Sequence, residues 1–233
     1  MQSLYQRLLE RLQQEFGDDL EGVLLTGSRI HSTPGPNSDL DVHVVIRQPR
    51  RKRHNFLLDG HEIEMFINPA NQLQREIHNG SPVNPHMFAF GHILYDPQGV
   101  LAELQEEARQ VWEAGPPELQ HLWSIRYAVA DTLRDIEDVA DDEATATLLI
   151  SSLCQWLIQV HFQLQHRWWD KPKRLLQELA RWDETAAREA RTALTSGPLL
   201  ERVAALRRLA EYILKPVGGP MPLEWEIDWS DVS

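Results

Sequence analysis

Residues 22–46 read GVLLTGSRIHSTPGPNSDLDVHVVI, and the reading of this stretch decides the fold. An apolar run ends at Gly27-Ser28, and a loop rich in Pro, Gly, Ser and Asn follows. A second apolar run then opens with two carboxylates, Asp39 and Asp41. On a strand, side chains two residues apart point to the same side. Asp39, Asp41 and His43 therefore share one face, and Leu40, Val42 and Val44 share the other. Adjacent carboxylates repel each other unless a cation bridges them or water solvates them.

Hard divalent cations such as Mg²⁺ favour carboxylate oxygens and commonly carry phosphates with them. Gly27-Ser28 stands where a strand gives way to a turn. A missing side chain there lets backbone N–H groups approach a phosphate, and the Ser hydroxyl adds a donor. Together these pieces describe a metal-triphosphate site, with Gly27 and Ser28 on the terminal phosphates and the Asp pair on one or two metals. A third carboxylate is needed from a neighbouring strand. The segment HEIEMFI offers Glu62 and Glu64 on one face, and Glu64, in mid-strand, is the better placed.

Working outward, Leu4, Leu8, Leu12 and Phe16 recur every four residues and predict an opening helix with one buried stripe. Strands are expected at 22–26, 39–46, 61–67 and 91–97, with QPRRKRHNFLLDG as a basic turn between the second and third. Helices fit 69–79, with Pro69 in the first turn, and the segment VLAELQEEARQVWEA. Gly115-Pro116-Pro117 then breaks the chain. Beyond it the pattern is helical only: an amphipathic helix over 119–139, a more apolar one over 143–168, and two more over 172–182 and 198–214, split by Ser196-Gly197-Pro198. The fold class expected is α+β, a mixed β-sheet flanked by helices in residues 1–115 and an α-helical bundle in residues 116–233. The tail is too rich in Pro and Gly for a helix, and its Trp225 and Trp229 are expected to pack against something.

The spacing of G-S to the first Asp of S-D-L-D, eleven residues, followed by a hydrophobic strand and a strand bearing Glu, resembles the DNA polymerase β-like nucleotidyltransferase superfamily. Within it the chain is most similar to the aminoglycoside and minimal nucleotidyltransferases. FGHILYDPQGVL resembles the family's strand-Tyr-Asp-x-x-Gly-helix ending, and KPKRLLQELARWD resembles a helix of the bundle in two-domain members. The resemblance implies transfer of a nucleoside monophosphate from a nucleoside triphosphate to a hydroxyl, with Mg²⁺. It also implies that Gly27 and Ser28 contact the triphosphate, that Asp39 and Asp41 bind metal and that Glu64 completes the acidic triad. Many members carry a Gly soon after G-S, where this chain has Ile30-His31-Ser32.

The expected activity is therefore transfer of AMP from ATP to a small-molecule hydroxyl, with the bundle selecting the acceptor. Lys171 and Lys173 are candidates to neutralise the β- and γ-phosphates as pyrophosphate leaves. Asp131, Asp135, Glu137 and Asp138 are candidates for the base that takes the hydroxyl proton. A net charge of −12 repels polyanions, which makes nucleic acid an unexpected partner and would suit a cationic acceptor such as an aminoglycoside. The run Arg50-Arg51-Lys52-Arg53-His54 reads as a solvated turn, although it is the one feature that would support a toxin-antitoxin type enzyme modifying tRNA or a protein. A non-catalytic nucleotide-binding module is the remaining reading. His43 reads as a satisfied structural histidine, Cys154 as a core residue, and Trp156, Trp168 and Trp169 as filling core or interface. One cysteine, no cleavable leader and no membrane-length apolar run point to a cytoplasmic protein, expected as a monomer or homodimer with no feature to choose between them.

Overall fold

The computed structural model describes residues 2–27, 29–30, 38–81, 83–195 and 197–227. The calls on Ser28, His31–Asn37, Ser196 and Trp229 lie outside them. The chain divides into two compact units, one ending at Pro116 and the other starting at Pro117.

In the first unit α1 (Gln2–Phe16) turns through Gly17–Asp19 into β1 (Leu20–Thr26). After β2 (Leu40–Ile46) come β3 (Lys52–Leu58) and β4 (His61–Asn68), then α2 (Ala70–Ile77), α3 (Val83–Ala89), β5 (His92–Tyr95) and α4 (Val100–Ala114). The five strands lie in the order β3-β4-β2-β1-β5. Only β2 and β4 pair in parallel; the other three pairings are antiparallel, so the sheet is mixed. Helices cover both faces. Leu4, Leu8 and Leu12 of α1 are buried against Val23, Leu25, Val42, Val44, Met65 and Ile67. On the opposite face Leu24 and Val45 meet Leu73, Ile77, Phe88, Leu101 and Leu104 of α2, α3 and α4. The alternation along β2 thus sorts its side chains between two helical layers.

The strand β3 corrects the sequence reading, which placed a basic turn there. The segment pairs along its length with β4, Lys52 opposite Ile67 through Leu58 opposite His61. The turn itself is only Asp59-Gly60, both at positive φ (51° and 77°). This is the two-residue geometry whose twist suits a hairpin. Two arginines of α1 hold the hairpin: Arg7 pairs with Asp59 at 2.5 Å, and the Arg11 guanidinium lies 4.0 Å from the centre of the Phe56 ring. Pro69 stands at the cap of α2, one position before the first turn expected for it. The helix α3 was not expected from sequence. The Asp96 carboxylate accepts from the Ala102 N–H at 2.9 Å, which satisfies one free donor in the first turn of α4.

The second unit is helical among the described residues: α5 (Leu122–Asp138), α6 (Glu143–Leu164), α7 (Pro172–Ala180), α8 (Glu184–Thr195) and α9 (Leu199–Leu214). Its core joins Val129, Leu133 and Ile136 to Ile150, Leu153 and Leu157 of α6, with Leu179 of α7 and Leu206 and Leu209 of α9. Cys154 is part of that core, and burial pushes its thiol up to about 12. The sequence reading missed α8, whose buried face is Ala186, Ala187, Ala190 and Ala193. The buried Arg202 is satisfied, donating to the Ala193 carbonyl at 3.1 Å and to Thr147 Oγ1 at 3.0 Å. Trp225 of the tail stacks on Trp123 and leans on Tyr127, both on α5, while Trp156 and Trp169 pack against the core.

Candidate active site

Three strands bring the candidate residues together on the face covered by α2–α4. In the ladders Asp41 lies opposite Thr26 of β1 on one side and Glu64 of β4 on the other. Neighbouring strands are about 4.8 Å apart, so in-register carboxylates on one face must be close. Asp39, one residue before β2, completes the group. One oxygen from each of Asp39, Asp41 and Glu64 lies within 4.8 Å of the others, and all three residues are partly buried. Register decides between the two glutamates: Glu62 faces Leu57 across the hairpin and is exposed, whereas Glu64 faces Asp41.

At that separation two full charges repel by about 1 kcal/mol in water and about 3 kcal/mol at an effective dielectric near 20. Part of this cost is offset by Arg53 of β3, whose guanidinium is bonded to the Glu64 carboxylate while resting 4.6 Å from the centre of the Phe66 ring. The donor set is three hard oxygens at the separation a divalent cation can bridge, so the residues fit such an ion.

Gly27 ends β1 at φ +82°. A Cβ built there would overlap the Asp41 Oδ2. Its missing side chain is thus what admits the Asp41 carboxylate. The chain turns at once, the Ile30 N–H donating to the Gly27 carbonyl at 3.3 Å. Arg29 then clasps the far side of the loop, its Nε donating to the Ser38 carbonyl at 2.7 Å, immediately before Asp39. Sequence reasoning gave Arg29 no role and read Arg53 as part of a solvated turn. Only the alternation of Phe56 and Leu58 before Asp-Gly hinted that Arg53 stood on a strand.

His43 lies on the same face, buried and sandwiched by aromatic rings, stacked on Phe66 at 4.9 Å and edge-on to Phe88 at 5.1 Å. Against the expectation of a satisfied histidine, neither ring nitrogen has a hydrogen-bond partner among the described residues. Burial lowers its pKa from 6.5 to about 4. The unfolded chain protonates this histidine near pH 6.5 and the folded chain only near 4, so within that window the unfolded state binds more protons. Stability therefore falls as pH drops from about 6.5 to about 4, by about 3 kcal/mol for this residue. Urea midpoints at pH 7 and 4.5 should converge in His43→Phe relative to the parent; an unchanged difference would refute the assignment.

Lys173 is not part of the carboxylate group. It is exposed on the first turn of α7 in the helical unit, with Lys171 at the cap of that helix. Of the four acids of α5 proposed as a base, Asp131 pairs with Arg134 at 3.4 Å and Glu137 is bonded to Arg207.

Residues 5–90, which contain every residue of the carboxylate group, match the nucleotidyltransferase domain family. The N-terminal unit is a polymerase β-like nucleotidyltransferase domain. A nucleotidyltransferase-like protein from Exiguobacterium sibiricum 255-15 shares the fold, with a TM-score of 0.55 at 14% identity over 90% of this chain and 74% of its own. A toxin-antitoxin structure with AMP-PNP aligns at 14% identity over 46% of this chain and 86% of its own, with a TM-score of 0.31, too low to define a shared fold. No curated protein matches the chain. Among the described residues no helix is long and apolar enough to cross a membrane.

Proposed function

We propose that this nucleotidyltransferase transfers AMP from ATP to a hydroxyl of a small-molecule acceptor in the cytoplasm, with a divalent cation such as Mg²⁺. The observation that carries the reading is the convergence of Asp39, Asp41 and Glu64 within 4.8 Å beside Gly27, inside the matched domain. In the reaction the acceptor oxygen bonds to the α-phosphorus and the bond from that phosphorus to the β-bridging oxygen breaks. Pyrophosphate leaves, and the hydroxyl proton passes to a base. A cation held by Asp39, Asp41 and Glu64 would supply charge neutralisation at the reacting phosphoryl group.

The chain's own residues do the positioning. The chain end of β1 at Gly27, followed in sequence by Ser28, is the proposed receiver of the terminal phosphates. Arg29 fixes the loop end from which Asp39 projects, and β2 and β4 hold Asp41 and Glu64 side by side. Preset geometry of this kind lowers the barrier because little reorganisation remains at the moment of transfer. The lone, buried thiol of Cys154 suits a reducing compartment.

The test supplies ATP labelled at the α-phosphate, Mg²⁺ and a panel of hydroxyl compounds. Label should move to an acceptor with equimolar release of pyrophosphate, and chelation should stop it. Binding of ATP with no pyrophosphate from any acceptor would overturn the transfer reading in favour of a nucleotide-binding module.

A further inference from the structure

The strand β3 brings positive charge to the carboxylate group from the side opposite Gly27. A cavity of about 240 Å³ opens there, lined by Arg51, Lys52, Arg53, Phe66, Asn68 and Glu76. Arg53 belongs to both places, since it lines the cavity and its guanidinium is bonded to Glu64. Three cations line it against two carboxylates, Glu64, which holds Arg53, and Glu76, which Arg51 approaches at 3.8 Å. Asn68 adds a buried amide whose Oδ1, an acceptor without a hydrogen-bond partner among the described residues, is suited to a hydroxyl or N–H of the bound molecule and not to the phosphate oxygens themselves. Sites for whole drug-sized ligands run to about 300–1,000 Å³. This cavity is smaller and therefore suits one group of a larger molecule. Two guanidiniums with fixed planar forks favour a phosphate.

Strand order tells which phosphate. Gly27 ends β1, the acids stand on β2 and β4, and the cavity lies at β4 and the edge strand β3. In an in-line displacement the leaving and attacking oxygens lie on opposite sides of the phosphorus. With the donor's terminal phosphates at Gly27, the attacking hydroxyl enters from the β4–β3 side. We infer that this cavity binds a phosphate group carried by the acceptor, so that the hydroxyl compound modified is a phosphorylated one. The inference rests on the nucleotidyl-transfer reading for the direction of approach. It replaces the cationic acceptor suggested by the net charge of −12, because the cavity is lined by three cations, Arg51, Lys52 and Arg53, and by one carboxylate, Glu76.

Arg51 precedes β3 with its side chain 65% exposed, so its replacement leaves the core intact. Inorganic phosphate is titrated calorimetrically into the full chain and into Arg51→Glu and Arg51→Gln, without nucleotide or metal, with circular dichroism as the check on folding. ATP with Mg²⁺ is titrated into the same proteins. Phosphate affinity should fall at least about tenfold in Arg51→Glu and less in Arg51→Gln, while ATP affinity changes less than about twofold. Equal weakening of ATP would assign the cavity to the donor and overturn the inference. Phosphate binding that is absent in the parent, or unchanged in both variants, would overturn it as well. The phosphate titration involves no turnover, so failure of label transfer would sink the transfer reading without altering this result.

Discussion

Asp41→Asn should lower nucleotidyl transfer by about 10³-fold or more while leaving the fold intact. Asp41 is the middle member of the carboxylate group, flanked in register by Thr26 and Glu64. Asparagine keeps the size and one oxygen but removes the charge that offsets a divalent cation. Metal assistance to phosphoryl transfer is worth several kcal/mol. At 1.36 kcal/mol per tenfold, a loss of about 4 kcal/mol corresponds to about 10³ in rate. The unfolding midpoint should rise slightly or stay level, because the substitution relieves repulsion among three acids. Single-turnover transfer of labelled AMP gives the rate, and urea denaturation the stability. Transfer within about tenfold of the parent would refute the role given to Asp41.

Gly27→Val should be nearly as damaging by a different route. At φ +82° a β-branched residue is strained, and its Cβ would overlap the Asp41 carboxylate. Either the turn or Asp41 must move. Displacement of a catalytic group by about 1 Å can cost about 10²-fold. Transfer should fall at least that far, with stability lowered by about 1–3 kcal/mol. Calorimetric ATP titration with and without Mg²⁺ separates the two contributions. A loss confined to the Mg²⁺-dependent part would locate the damage at Asp41, and unchanged transfer would mean that Gly27 has no steric role.

What could be read in the sequence was what depends on local pattern. The every-fourth leucines of α1 and the alternate residues Leu40, Val42 and Val44 of β2 each mark an apolar face, and each is buried as expected. The spacing from Gly27-Ser28 to Asp39 and Asp41 singled out two of the three acids that the fold brings within 4.8 Å of one another. Elements that break the usual polarity were hidden. β3 is an edge strand that carries Lys52, Arg53, His54 and Asn55, so its charges read as a turn, although charge is what keeps exposed edges from pairing with other chains. α8 buries four alanines, which give a weak apolar signal. The pairing of Asp41 with Glu64 rather than Glu62 is a tertiary fact, set by how β4 docks against β2. The bond from Arg53 to Glu64 follows from that docking and from the hairpin register, neither of which spacing alone specifies.

The parallel pairing of β2 with β4 also imposes a rule of parity on this gene. The linker between β2 and β3 can change length without affecting which way Glu64 points. An odd insertion within β4 ahead of Glu64 cannot, because each single-residue shift turns the strand over and sends the carboxylate towards α1. Odd insertions there should therefore abolish transfer by turning the carboxylate over, and two-residue insertions, which keep the face but slide Glu64 about 6.6 Å along the strand from Asp41, should also lower it, whereas insertions around residues 47–50 should be tolerated at either parity. A length-variant library would display that contrast between strand and linker as a property of the sheet, independent of which amino acids are added.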